Sequence, residues 1–420
     1  MSEQAVVLAG ARTPYSKLGT ELAAVSAVEL GRVASIEALA RAGVAPEDVD
    51  QVIFGNIATP PDAANIARVI ALRAGIPAER PAHTVGRNCA SGIESVVQAA
   101  RLIRTGEAKL VLAGGVESMS LVPFLYREPV KAALAAAGTA RTLGARLGAL
   151  AKLPWGQLLN PVIGLKLGLT DPVCNLNMGE TAEVLAKEGA ITREEQDRFA
   201  LRSHQRAQAA TESGRFGEEI VPVPVPPDYA KAVTRDNGIR DGQTLEALQK
   251  LRPFFDRRHG SITPGNASQI TDGGAAVVVA SGSWAKERGL AVLGRIRSWG
   301  FAGLEPERMG LGPSRSTPPA LEAAGVTLKD VGLVEMNEAF AAQVIANLRA
   351  FEQDPALGAI DEAALNVNGG AIALGHPVGS TGTRLIHTLL LEMKKRQVDL
   401  GLATLCVGGG QGASVVLEAA

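Results

Sequence analysis

Thr84-Val-Gly-Arg-Asn-Cys-Ala-Ser-Gly92 runs through a helix-period stretch, Ile93 to Ile103, into Leu110-Val-Leu-Ala-Gly-Gly115. This order returns near the other end of the chain. There Asn366-Val-Asn-Gly-Gly370 leads through Gly379-Ser-Thr-Gly382 and a second helical stretch into Leu402-Ala-Thr-Leu-Cys-Val-Gly-Gly-Gly410. A preceding pair keeps the same register: Pro46-Glu-Asp-Val-Asp-Gln-Val-Ile-Phe-Gly-Asn56 and Thr327-Leu-Lys-Asp-Val-Gly-Leu-Val-Glu-Met-Asn337. Each is an acidic turn, a strand and a polar strand end. Matches this short also arise by chance between strand-turn-helix units. A true duplication would set equivalent loops of the two halves at one interface.

Working outward, short apolar runs bounded by Gly or Pro (Ala5 to Ala9, Gln51 to Phe54, Leu110 to Ala113, Ala276 to Ala280, Leu333 to Met336, Leu402 to Leu405) alternate with helical stretches. That is an α/β pattern with strands buried on both faces. The middle of the chain differs. Lys131 to Leu153 is rich in Ala, Leu and Arg, with Leu143, Leu147 and Leu150 at helical spacing, and reads as one helix stopped by Pro154. Between 127 and 170, six basic residues face Glu128 alone. Such a basic, amphipathic segment fits a cap over the protein's own pocket, a membrane surface or a partner. Val221-Pro-Val-Pro-Val-Pro-Pro227 reads as an extended linker, because each Pro blocks helix and ladder bonding.

Composition narrows the function. The 420 residues carry 42 Lys+Arg against 43 Asp+Glu, a formal charge of −1, so no basic excess points to nucleic acid. With 46% hydrophobic residues the chain has material for a large core. Three cysteines (Cys89, Cys174, Cys406) do not make a disulfide framework and imply a reducing compartment. No apolar run suffices for a membrane span, and Met1 to Gly10 lacks the basic and long apolar parts of a signal peptide, so the expected location is cytoplasmic. The 47 glycines cluster, as expected where backbones approach something closely.

Three Gly-flanked polar sites stand out. Cys89 opens a helix, where the macrodipole favours thiolate, although most free cysteines are inert core residues. His376 is fixed between Gly375 and Pro377, which gives the imidazole a set direction; a lone His is more often structural. Cys406 ends a strand beside Gly408, whose N–H can face a ligand oxygen. No Cys/His pair has zinc-ligand spacing, so no metal is expected. Two thiols and an imidazole suit acyl transfer through a thioester, with one sulfur acylated, a base activating it and a second acid/base moving a proton.

The Cys89 segment, Gly114-Gly-Val-Glu-Ser-Met119, Asn337-Glu-Ala-Phe340, Gly375-His-Pro377 and Cys406-Val-Gly-Gly-Gly410 follow one another as in the thiolases, and with Leu251-Arg-Pro-Phe-Phe255 and Asn266-Ala-Ser-Gln-Ile-Thr-Asp-Gly-Gly274 the whole chain resembles that family. Glu180 to His204 and Leu311 to Pro318 look most like the long-chain 3-ketoacyl-CoA thiolases of fatty-acid oxidation complexes, while Asn366 to Gly412 resembles the biosynthetic branch. The resemblance implies a thiolase fold: two duplicated α/β/α/β/α halves forming a five-layered core, plus an inserted loop domain. The halves would be 1–120 with 251–283, and 284–420; the loop domain would be 121–250, with a helical insertion at 131–169.

It further implies Cys89 as nucleophile, His376 as its base, Cys406 as the second acid/base, Asn337 as holder of a water, and the N–H groups of Cys89 and Gly408 as an oxyanion hole. Arg240, Ser268 and Met178 match CoA-binding positions, whereas Ala247 stands where many relatives carry a CoA-contacting Ser. The implied reaction is CoA-dependent cleavage of 3-ketoacyl-CoA, with CoA as cosubstrate and no tightly bound cofactor. Acetoacetyl-CoA synthesis is the alternative. Decarboxylating condensation is disfavoured because Cys406 stands where those enzymes carry a second His, and a silent scaffold because every reactive residue is kept. Implied partners are acyl-CoA substrates, a homodimer or homotetramer, a hydratase/dehydrogenase subunit and peripheral membrane contact through 131–169.

Overall fold

The computed structural model describes residues 3–420. Nine strands, β1 (Ala5–Arg12), β2 (Gln51–Gly55), β3 (Ala82–Val85), β4 (Leu110–Glu117), β5 (Thr271–Ser281), β6 (Gly294–Gly303), β7 (Leu333–Met336), β8 (Leu400–Val407) and β9 (Gln411–Ala419), run in the order β7-β8-β9-β6-β1-β5-β4-β2-β3. The sheet is symmetric about its centre. Outward from β1, the pairings with β5 and β4 are antiparallel and those with β2 and β3 parallel. Outward from β6, β9 and β8 are antiparallel, β7 is parallel, and Leu365 makes a parallel bridge to Val334 where β3 has its counterpart. The repeat read from Pro46–Asn56 and Thr327–Asn337 is thus β2 against β7, in equivalent places. Antiparallel β1 and β6 join the two half-sheets.

Helices α1 (Ala27–Ala42) and α2 (Ile66–Arg73) cover one outer face, α3 (Ser91–Thr105) and α6 (Val378–Arg396) fill the middle, and α4 (Gly312–Ala324) and α5 (Ala341–Gln353) cover the other outer face. The result is five layers, α/β/α/β/α, with a core at each interface. One apolar cluster joins α1 and α2 to the first half-sheet, a second packs α3 and α6 between the half-sheets, and a third lies under α4 and α5. Every residue of β4 and β5 is buried, which explains their unbroken apolar runs. The two central helices approach backbone to backbone. A Cβ at Gly92 would lie 2.6 Å from the Thr383 nitrogen, so a side chain there would force them apart.

Two readings of the middle segment change. The stretch 131–153 is not one helix: Glu128–Thr139 and Leu143–Ala151 are separate, and Thr142 starts the second by accepting the Ala145 N–H on its hydroxyl. The Val221–Pro227 linker is partly a ladder, since Val223–Val225 pairs with Lys231–Val233. An antiparallel ladder draws its bonds from alternate residues, so Pro224 between two valines is tolerated. Buried Arg12 holds this region onto β1 through Asp236, at 2.7 and 2.8 Å, and Glu219.

Candidate active site

The site lies where the C-terminal ends of β3 and β8 meet the start of α6. Cys89 sits in the link between β3 and α3. Ser91 Oγ accepts the Arg87 N–H at 2.9 Å and donates to the Asn88 carbonyl at 2.7 Å, which closes this link into a turn with Asn88 at φ 43°. Asn88 Nδ2 donates to the Gly408 carbonyl at 2.7 Å, tying the turn of one half to the glycine turn of the other. The Gly408 N–H reaches the Cys89 sulfur.

Two cavities meet at this sulfur. The larger, about 590 Å³, is lined by Met178, Phe255, Ser268, His376 and Cys406 as well as Cys89. The smaller, about 390 Å³, is lined by Ile57, Glu117, Val122, Leu165 and Gly408 as well as Cys89. Met119, Leu165, Leu169, Met178 and Val378 border both. Leu165 and Leu169 belong to the insertion, so its C-terminal part caps the pocket, while its earlier helices lie outward with Leu143 73% and Leu159 77% exposed. The cap reading therefore fits the C-terminal part of the segment, and the earlier helices leave apolar side chains at the surface.

His376 follows Gly375, whose φ is 104°, and precedes α6. Its Nδ1 lies 2.6 Å from Thr381 Oγ1, and its Nε2 is 3.5 Å from Asn337 Nδ2, at the outer limit of a hydrogen bond. Burial, then Arg384, pushes the imidazole pKa down to about 4, so it is neutral and can accept a proton at neutral pH. Asn337 is fully buried, and its Oδ1 has no protein partner.

Both thiols are protonated at rest. Burial pushes the Cys89 pKa up more than the Gly408 N–H lowers it, and Cys406 is raised by burial and then by Cys89. This corrects the expectation of a dipole-stabilised thiolate. Cys89 stands just before Ala90, the capping position of α3, and burial raises its pKa more than the N–H groups of Gly408 and Cys89 lower it. Activation therefore needs a base.

Of the residues singled out in the sequence, Cys89, His376, Cys406, Met178, Ser268 and Gly408 line the two cavities, and Asn337 stands behind His376. Arg240 lines neither cavity; it is half-buried, and its N–H contacts His204 Nδ1 at 3.3 Å. Ala247 lies in the short helix Leu245–Gln249, its N–H bound by Thr244. Sequence reasoning missed Thr381, Glu117 and Arg384. The first two lie within quoted motifs, but the contact of Glu117 with Gly379 across the halves, that of Thr381 with His376 and that of Arg384 with Glu335 leave no trace in spacing.

Family models named "Thiolase, N-terminal domain" and "Thiolase, C-terminal domain" match residues 5–283 and 290–419. The chain belongs to the thiolase family. This thiolase is 42% identical to a 3-ketoacyl-CoA thiolase of Yersinia enterocolitica over 427 aligned positions, covering 99% of this chain and 97% of the relative. A Yersinia pestis 3-ketoacyl-CoA thiolase is 41% identical with the same coverage. Among solved structures, the Bacillus anthracis acetyl-CoA acetyltransferase superposes with a TM-score of 0.89 at 38% identity, covering 100% of this thiolase and 99% of that chain. Human mitochondrial 3-ketoacyl-CoA thiolase in complex with CoA gives 0.88 at 38% identity, covering 100% and 98%. Among the described residues, no cluster of metal-ligating side chains occurs and no helix is long and apolar enough to cross a membrane.

Proposed function

We propose that this thiolase cleaves 3-ketoacyl-CoA with CoA, giving acetyl-CoA and an acyl-CoA two carbons shorter, as in fatty-acid β-oxidation, and that it runs the reverse Claisen condensation. The observation that carries the reading is the convergence of two thiols and one neutral imidazole on a single cavity.

In this reading His376 Nε2 takes the Cys89 proton, and the sulfur attacks the 3-keto carbon. The C2–C3 bond breaks, and its electrons take a proton from Cys406 as acetyl-CoA leaves. CoA then gives its thiol proton to the Cys406 thiolate and attacks the acyl carbon. Cys89 leaves, recovering its proton from His376. One hard carbon-carbon cleavage becomes two thioester exchanges. The N–H groups of Cys89 and Gly408 stabilise the acyl oxygen, and Asn337 orients a water that joins His376 at the enolate oxygen. Met178 and Ser268 contact CoA inside the cavity, and Arg240 contacts it outside.

The smaller apolar cavity favours a longer acyl tail over acetoacetyl-CoA synthesis, because a four-carbon substrate leaves it unfilled. The same reading divides the chain into halves 1–120 with 251–283 and 284–420, with a loop domain at 121–250. It places the protein in the cytoplasm as a homodimer or homotetramer, with 131–169 as its contact to a membrane surface or a hydratase/dehydrogenase subunit. The test is CoA-dependent cleavage of 3-ketoacyl-CoA from four to sixteen carbons, with the acylated peptide mapped by mass. Acylation at Cys89 with turnover on the longer substrates is expected. Zero turnover at every length from folded protein would instead indicate a silent scaffold.

A further inference from the structure

Helix α6 carries the His376 turn at its start, yet its first residues have no side-chain cap of their own, because Pro377 occupies the capping position. The opening N–H groups of a helix need acceptors. One comes from the other half of the molecule. Glu117, fully buried at the end of β4, accepts the Gly379 N–H on Oε2 at 2.9 Å. The same oxygen accepts the Ile57 N–H at 3.2 Å, while Oε1 accepts Ala58 N–H at 2.8 Å and Asn56 Nδ2 at 2.7 Å. All four partners are donors, so the pocket fits an ionised carboxylate with both oxygens in use. Space is equally tight. A Cβ at Gly379 would lie 2.6 Å from the Val116 carbonyl and 3.0 Å from Glu117 Oε2.

Glu117 also lines the smaller cavity with Cys89 and Val378. It therefore touches the loop after β2, the cavity below the nucleophile and the helix start behind the base. Resting on the proposed thiolase reaction, we propose that Glu117 is a positioning residue: its carboxylate caps α6 across the two halves and holds the His376 turn at working distance from Cys89. Burial keeps its pKa up at about 7 against the pull of the N–H donors, with Asp272 on β5 adding repulsion. Asp272, Cys89 and, three residues from Gly379, His376 are the titratable groups around it. His376 is held at about 4 and Cys89 is raised, so neither accounts for a step near pH 7.

Protonation below that point turns one acceptor oxygen into a donor facing N–H groups and frees the helix start. Glu117→Gln imposes the same loss at every pH, since its amide nitrogen faces two donors whichever way it turns. The experiment measures Cys89 alkylation by iodoacetamide between pH 5.5 and 9, and the rate of acylation by acyl-CoA, for wild type, Glu117→Gln and Glu117→Asp. In wild type, alkylation should change slope near pH 7. In Glu117→Gln that step should vanish, with acylation down at least tenfold and KM for CoA within twofold; Glu117→Asp, which keeps both acceptors, should recover part of the rate. A Glu117→Gln protein that keeps the wild-type step and rate overturns the proposal. Should that variant not fold, an unshifted step in Glu117→Asp overturns it, and a shifted one supports it. Alkylation needs no ketoacyl substrate, so a wild-type protein that shows the step but cleaves nothing refutes the reaction assigned above and leaves the cap standing.

Discussion

His376 Nδ1 lies 2.6 Å from Thr381 Oγ1, and the same hydroxyl reaches the Pro377 carbonyl at 3.0 Å. The proposed reaction needs a bare Nε2, and the geometry accommodates it: with the hydroxyl proton on the carbonyl, Thr381 receives its other hydrogen bond from the ring. That assigns the ring proton to Nδ1 and leaves Nε2 bare toward Asn337 and the cavity. A single buried hydroxyl thus selects the tautomer that can deprotonate Cys89.

Thr381→Val keeps the shape and removes this selection. Acylation of Cys89 should fall about tenfold or more, a part of the roughly 100- to 10,000-fold that general-base catalysis contributes, while Thr381→Ser should restore most of it. Single-turnover acylation by an acyl-CoA is the measurement. Equal rates in wild type and the valine variant would reject the tautomer argument.

Cys406 is buried, and its pKa lies well above the ordinary thiol range, so it holds its proton until a carbanion-like centre forms beside it. Cys406→Ala should retain some acylation at Cys89 by acyl-CoA, slowed because Cys406 also serves the CoA thiol, but lose the carbon-carbon step by about 100-fold or more. Separate assays of thioester exchange and of 3-ketoacyl cleavage distinguish the two. Parallel losses in both would remove the division of labour between the sulfurs.

Arg384 on α6 and Glu335 on β7 form an ion pair at 2.8 Å with both side chains almost fully buried. Two of the guanidinium nitrogens, Nε and Nη2, have no other partner. Burial pushes the Glu335 pKa up to about 8 against the pull of Arg384, so the carboxylate is fully ionised only above that pH. At pH 9, Glu335→Ala would strand the cation inside the central layer, at the cost of about 3–5 kcal/mol of a broken buried ion pair. Denaturant unfolding monitors it. Arg384 is also the charge that helps depress the His376 pKa, so the pair links the stability of the central layer to the base.

Much of this was legible before any coordinates. The duplicated strand and turn segments determine the symmetric sheet, because equivalent apolar runs must take equivalent places around α3 and α6. Cys89, His376 and Cys406 were recognisable because each interrupts an apolar, glycine-rich background. Glu117 was not, because its value lies in a contact that the two-fold arrangement creates between residues 262 positions apart; Thr381 was not, because its role rests on the side-chain geometry of one turn, in contact with His376 five residues before it. The thiolate expectation failed for a related reason. A helix start is visible in a sequence, whereas the apolar wall that desolvates the sulfur comes from Leu165, Met178 and other distant residues.

The outward part of the insertion joins exposed Leu143, Leu147, Trp155 and Leu159 to Arg141, Arg146 and Lys152. Apolar residues flanked by basic ones bind anionic interfaces. Replacing Leu143, Leu147, Trp155 and Leu159 by Ser should abolish sedimentation with anionic vesicles and leave the cleavage of a short, soluble 3-ketoacyl-CoA within twofold. Sedimentation unchanged by these replacements would remove the membrane reading. Loss of binding to a hydratase/dehydrogenase subunit instead would assign the surface to that partner.

His387, on α6, is buried with Nδ1 unpartnered, and burial brings its pKa down to about 4. Glu219 opposes the shift, while Arg41, Arg215 and Arg12 reinforce it. An unfolded histidine binds its proton near pH 6.5. Between 6.5 and 4 the unfolded chain therefore takes up a proton that the native state refuses, and stability falls as the pH falls. Below 4 both states are protonated and this contribution levels off. His387→Gln removes the group from the balance. Its melting temperature, subtracted from that of wild type at each pH, should show a difference that shifts in the variant's favour from pH 6.5 to 4 and is flat above 7.5. A difference independent of pH across that window would mean that His387 titrates alike in both states.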